Sequence, residues 1–309
     1  MNTLLVPLDH TTSAEPLLAY ANKLAVRWPA EIVLLYCQPP VPDADGASAV
    51  RTADLAVEEQ RLRSLVERLR YQQLTRQDGR RIRYHYRVLS GCLHDHIAAE
   101  VARCAAQLVV MSLEHVDCGR QEAPGNHAAA IADLIACPVL VVPPGRRSLP
   151  SRLVFSADFS TLPLHTLPRL SALAEAFPGT LDLVQFYAPT ERSRRLALKQ
   201  AQTRALRQLT WPHVHTHLLE DESALEGVSE FCARQQAQLL IVAPASRAEL
   251  LHYFDACYTT TQAYHTRIPV LVVRSAGASA HTVCCGKCAE RLTREQLQAN
   301  LILQSAQPA

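Results

Sequence analysis

The chain has 309 residues, 48% hydrophobic and 19% charged, so it has ample material for a core and lacks the composition of a disordered chain. Lys and Arg number 31 against 29 Asp and Glu, leaving +2 with His neutral, which supplies no global attraction to nucleic acid or an anionic membrane. Ten glycines argue against several glycine-rich phosphate loops, each of which consumes several.

Short β-branched runs alternate with helical patterns from the start. Residues 3–8 read as a strand. Thr12-Ser13-Ala14-Glu15 has the form of a capping box, and Leu17, Leu18, Ala21, Leu24 and Ala25 then recur on one helical face. Residues 31–36 form a second strand, and 54–77 a helix with Leu55, Leu62, Leu65, Val66 and Leu69 inward. In 82–89, Arg83, His85 and Arg87 alternate with Tyr84, Tyr86 and Val88, as at a sheet edge with one wet face. A third helix carries Ile97, Val101, Ala102 and Ala105. Residues 108–112 are a strand, 128–135 a helix and 138–143 a last strand. Most of these strands are continuous apolar runs, as parallel strands buried on both faces require.

The second half repeats the pattern, with strands predicted at 152–157, 181–187, 214–219, 239–243 and 269–273. Gln107 and Gln238 stand 131 residues apart, as do Pro138 and Pro269, so the ends of two copies are in register. The openings match through Asp9 and Asp158 at an offset of 149, which makes the second copy shorter between its second and third strands. A stiff segment, 144–150, joins the copies, and each copy is predicted to fold as a doubly wound parallel sheet.

A strand ending Val6-Pro7-Leu8-Asp9, an apolar strand running to Met111, and a helix closed by Cys137-Pro138-Val139-Leu140-Val141-Val142 resemble the universal stress protein family, and the second half resembles it again. The resemblance covers about 1–145 and 150–275. It implies two Rossmann-like (adenine nucleotide alpha hydrolase-like) five-stranded α/β domains in tandem, followed by a tail, 276–309, with a Cys cluster. In such a pair the last strands, 139–142 and 270–273, meet across the copies, so intramolecular pairing of the two domains is implied. A homodimer and an unidentified protein partner stay open.

Family members that bind ATP carry G-x2-G-x9-G-[ST] after the fourth strand, where backbone amides meet the phosphates. Here the first two glycines would fall within Met111-Ser112-Leu113-Glu114-His115, which has none, and only Gly125-Asn126 survives. In the second copy Pro244-Ala245-Ser246-Arg247 and Ala256-Cys257 stand at the corresponding places. Pro7, Asp9, Met111, Gly125, Asn126 and Asp158 are therefore vestigial nucleotide-site candidates. The resemblance implies a non-catalytic stress-response binding or regulatory protein without tight ATP binding. An ATP-regulated switch using the first copy is an alternative. No Ser/His/Asp order or S-G-G-x-D-S run points to catalysis.

The tail offers a different function. His281, Cys284, Cys285 and Cys288 include one C-x-x-C pair, which suits zinc or copper or thiol redox chemistry favoured by Lys287. No other cofactor is expected. His94-Asp95-His96 reads as the start of a helix, since residues two apart do not share a helix face. Tyr253, Tyr258 and Tyr264 read as packing residues. The basic segment 192–207 reads as a solvated helix with Leu196, Leu206 and Leu209 toward the core, which argues against nucleic acid.

No basic n-region precedes Pro7 and Asp9, and no apolar run approaches the ~20 residues that span a bilayer. A cytoplasmic location is expected, with no membrane partner. The ten Cys are expected to be reduced, with Cys37, Cys92, Cys104, Cys118, Cys137, Cys232 and Cys257 acting as small hydrophobes.

Overall fold

The computed structural model describes residues 1–9, 13–38, 52–74, 82–117, 125–163, 165–254 and 264–274. The first half runs β1 (Asn2–Leu8), α1 (Ala14–Arg27), β2 (Ala30–Gln38), α2 (Thr52–Leu74), β3 (Tyr84–Ser90), α3 (Leu93–Arg103), β4 (Leu108–Ser112), α4 (Asn126–Leu134) and β5 (Val139–Val142). The second runs β6 (Arg152–Ser156), α5 (Thr166–Ser171), β7 (Thr180–Tyr187), α6 (Arg195–Gln208), β8 (His213–Glu220), α7 (Ala224–Arg234), β9 (Leu239–Val242), α8 (Arg247–His252) and β10 (Val270–Val272).

All ten predicted strands are present, and they form one sheet in the order β3-β2-β1-β4-β5-β10-β9-β6-β7-β8. Each half is wholly parallel. The halves meet through an antiparallel pair, with Val270 opposite Val141, Leu271 opposite Leu140 and Val272 opposite Val139. Every residue of β5 and β10 is at most 3% exposed, and burying each such side chain is worth roughly 1.5–3 kcal/mol. The pairing also removes two apolar edges that would otherwise template aggregation. Of the remaining edges, β3 carries His85 and Arg87 and β8 three His among their apolar residues.

The two faces hold separate cores. One is built on Leu4, Tyr20, Leu34, Phe155, Phe177 and Leu183 under α1, α2, α5 and α6. The other is built on Leu5, Val33, Ile97, Val154 and Phe231 under α3, α4, α7 and α8. The strand alternation decides which residue joins which core.

Three expectations are corrected. Helix α1 begins at Ala14, with Ser13 at the N-cap and no side-chain cap bond. Ser13 Oγ accepts from Ser112 Oγ at 3.1 Å, a tie between β4 and α1, while Thr12 lies outside the described residues. Leu196 is 70% exposed. The segment 189–194 is a 3₁₀ turn, and α6 buries Leu198, Ala201, Gln202 and Ala205, an i, i+3, i+4 stripe that Leu196 lies off. Finally, Cys92 is disulfide-bonded. It lies where Asp117 holds the segment after β4 against the start of α3, a tertiary approach that cysteine spacing alone does not reveal. Cys37, Cys104, Cys137 and Cys232 are free thiols, and burial pushes Cys37, Cys137 and Cys232 up to about 12.

Candidate functional site

In a doubly wound sheet the C-terminal ends of strands at the point where the order reverses form the natural ligand crevice. Here those points lie between β1 and β4 and between β6 and β9. The vestigial candidates gather at these two places.

In the first half, Pro7 and Met111 are buried within β1 and β4 and present no side chain to a ligand. Asp9 follows β1, and its Oδ2 accepts from Val116 N–H at 2.8 Å, tying the first strand's exit to the turn after β4. Within that turn Glu114 N–H donates to Ser112 Oγ at 3.1 Å and Gly125 N–H to Leu113 O at 3.0 Å. Gly125 caps α4 in the left-handed region, φ +89°. A β-carbon placed on it would lie 2.5 Å from Phe254 Cβ, so glycine here admits an aromatic residue from the other half. Asn126 opens α4, and its carbonyl accepts from Arg247 Nη2 at 3.5 Å. Helices α4 and α8 thus close over each other beside Gly125.

Beneath Asp9 lies a group that sequence reasoning missed. His115 is 6% exposed, and its ring meets that of His127 edge-on, with centroids 6.5 Å apart. His115 Nδ1 and His127 Nε2 are buried without hydrogen-bond partners. Burial depresses the His115 pKa and His127 adds to this, while the carboxylates of Asp9 and Asp117 oppose it. Asp117 accepts from Leu93 N–H at 2.7 Å and His94 N–H at 3.1 Å, so it caps α3 from a distant turn. His96 meets Ser90 O at 2.7 Å, in keeping with a helix start.

In the second half, Asp158 is saturated. Its Oδ1 accepts from Ser160 N–H, Ser160 Oγ and Gln185 Nε2, and its Oδ2 from Thr161 Oγ1. Burial would raise its pKa, but these donors hold it below the usual carboxylate value. After β9, Ala245 N–H donates to Glu249 Oε2 at 2.8 Å and Glu249 N–H to Ser246 Oγ at 3.1 Å. The Glu249 carboxylate therefore occupies the Ala245 amide at the start of α8. A cavity of about 470 Å³ remains, lined in part by Asp158, Thr166, Phe186, Glu249 and Tyr253. Tyr253 hydrogen-bonds Ser156, and burial drives its pKa well up. Tyr264 packs with its hydroxyl on Ala237 O.

His281, Cys284, Cys285 and Cys288 lie outside the described residues, as do Tyr258 and the tail. Asp117, His127 and Phe254 were missed because each acts across a long sequence separation, and no local spacing marks them.

Residues 1–143 match the family model described as Universal stress protein family. None of the curated proteins matches. Among solved structures the chain is similar to a functionally unknown protein from Pseudomonas aeruginosa PAO1, with 15% identity over 91% of this chain and 95% of that one and a TM-score of 0.56. It is also similar to a universal stress protein from Archaeoglobus fulgidus DSM 4304, with 14% identity over 88% and 98% and a TM-score of 0.57. At these identities the structural likeness establishes the fold alone.

Proposed function

We propose that this protein, whose residues 1–143 match the universal stress protein family model, is a cytoplasmic tandem member of that family that acts in stress response by binding and regulation. In this reading it is not an enzyme and holds no nucleotide tightly. The supporting observation is that the chain itself occupies the positions a polyphosphate requires. Glu249 takes the Ala245 amide, Asp9 takes the Val116 amide, and Phe254 fills the approach to Gly125. Phosphate binding needs converging free amides and a close backbone approach. The carboxylates of Glu114 and Glu249 add repulsion at the same places. The cavity beside Asp158 has a size suited to a small organic ligand, but its wall carries two carboxylates.

Calorimetric titration with Mg-ATP tests the reading. No saturable heat is expected up to millimolar nucleotide. Saturable binding at micromolar concentration, abolished by Asp9→Ala, would replace it with an ATP-regulated switch in the first half. Zinc or copper retained by the protein and lost on truncation after Ala280 would move the function to the tail.

A further inference from the structure

His213, His215 and His217 alternate along β8, an edge strand, so all three project from one face. That face is the α7 side, because the His217 ring packs edge-on against Phe231 with centroids 4.9 Å apart. Asp182 on β7 is the register partner of His215 and projects from the same face. His217 Nε2 lies 2.8 Å from Asp182 Oδ1. The Asp182 side chain is 14% exposed and that of His217 30%, while His213 and His215 are exposed.

The first half shows what a purely structural version of this corner looks like. At the same register Val33 pairs with His85, and Val33 is core. Arg87, two residues along β3, forms its ion pair with Glu100 on α3. A guanidinium has no lone pair for a metal. The second half places a carboxylate at the Val33 position and an imidazole at the Arg87 position, so three donors of zinc-ligand type share one face.

We infer that Asp182, His215 and His217 form an open site for a divalent transition ion of borderline softness, with zinc as the type case. Imidazole nitrogen and carboxylate oxygen bind zinc at about 2.0–2.2 Å. The Asp182–His217 contact needs to open by only roughly 0.5 Å for two such ligands to meet at a tetrahedral angle. Among the described residues no three donors already stand together as a ready cage, so His215 must complete the site by turning its exposed ring toward Asp182. Its Cα lies about 6.6 Å from that of His217, within reach of a shared ion. Water fills the fourth position. Cys232 on α7 is fully buried, closed off from the exposed edge where His215 stands. The ligands are therefore nitrogen and oxygen alone.

The test is titration of the full-length protein with Co²⁺ and then Zn²⁺, beside His215→Ala, Asp182→Asn and a tail variant, Cys284→Ser with Cys285→Ser and Cys288→Ser. The expected result is a set of visible cobalt bands without the intense near-ultraviolet thiolate band, retained in the tail variant and displaced by zinc. Affinity at this site should fall at least about 10-fold in His215→Ala. Because His215 is exposed, that variant keeps its fold, which a thermal melt verifies. Equal affinity in the wild type and His215→Ala would overturn the assignment. So would binding that disappears entirely with the tail cysteines, or no binding in the wild type.

Discussion

Gly125→Ala separates two explanations of the glycine that survives where family members bind phosphate. The new β-carbon would lie 2.5 Å from Phe254 Cβ, 2.7 Å from Cγ and 2.8 Å from Cδ2, and Phe254 is 7% exposed and hemmed in. Overpacking of this kind costs typically about 1–3 kcal/mol. A left-handed backbone at φ +89° adds ~1–2 kcal/mol for a residue with a side chain. The substitution should therefore destabilise the protein by about 2–5 kcal/mol, read from urea unfolding followed by circular dichroism. In a Phe254→Gly background all three contacts vanish, and Gly125→Ala should then cost only the backbone share, ~1–2 kcal/mol. The coupling energy between the sites should be about 1–3 kcal/mol. Additivity of the two substitutions to within ~0.5 kcal/mol would refute the idea that this glycine exists to admit Phe254.

Ala105 and Gln236 hold positive φ of 48° and 50°, 131 residues apart, each closing the helix before its copy's fourth strand. Replacing either by Gly should raise stability by roughly 1 kcal/mol, and the two gains should add in denaturant midpoints. Removing the Glu249 carboxylate from the Ala245 amide by Glu249→Ala should lower stability by about 1 kcal/mol. An unchanged midpoint would show that the amide is satisfied otherwise. His115, whose folded-state pKa is depressed below its ordinary value near 6.5, binds fewer protons folded than unfolded just below that pH. Its stability contribution is full above about 6.5 and is lost as pH falls toward the folded pKa, with a limiting slope near 1.4 kcal/mol per pH unit. His115→Gln should flatten that part of the stability–pH curve, and an unaltered slope would assign it to other groups.

Strands were the most legible part of the molecule, because runs such as 139–142 and 239–242 admit few alternatives once a turn signal and a helix flank them. The pairing of β5 with β10 came from the family resemblance and the repeat, while its register could come only from the coordinates. Helix starts were less legible. Thr12 to Glu15 satisfied the capping-box pattern, yet Ser13 stands at the N-cap of α1 without a side-chain cap bond, its hydroxyl accepting from Ser112 Oγ. Leu196 was misplaced because a 3₁₀ turn before α6 resets the helical phase, and a 3.6-residue count carried through that turn points to the wrong face. At the ligand crevices the missing glycines were plain in the sequence, whereas Glu249, Asp9 and Phe254 as the occupants were not. The His213-Val214-His215-Thr216-His217 alternation was readable as one strand face, but its meaning depended on Asp182 standing opposite, and sheet register supplies that.

The antiparallel join at the centre of the sheet also bears on how the chain is made. The partner of β5 lies about 130 residues further along, and at ~5–20 residues per second a ribosome needs on the order of 10 s to reach it. During that interval the first half can be complete in every respect except that Val139–Val142 has an unpaired outer side. A nascent chain in this state is a half-molecule with an adhesive rim, and two of them on neighbouring ribosomes could pair through identical strands before either meets its own β10. The short, stiff segment 144–150 works against this, because it keeps the second half close and lets it capture the rim as soon as β10 emerges.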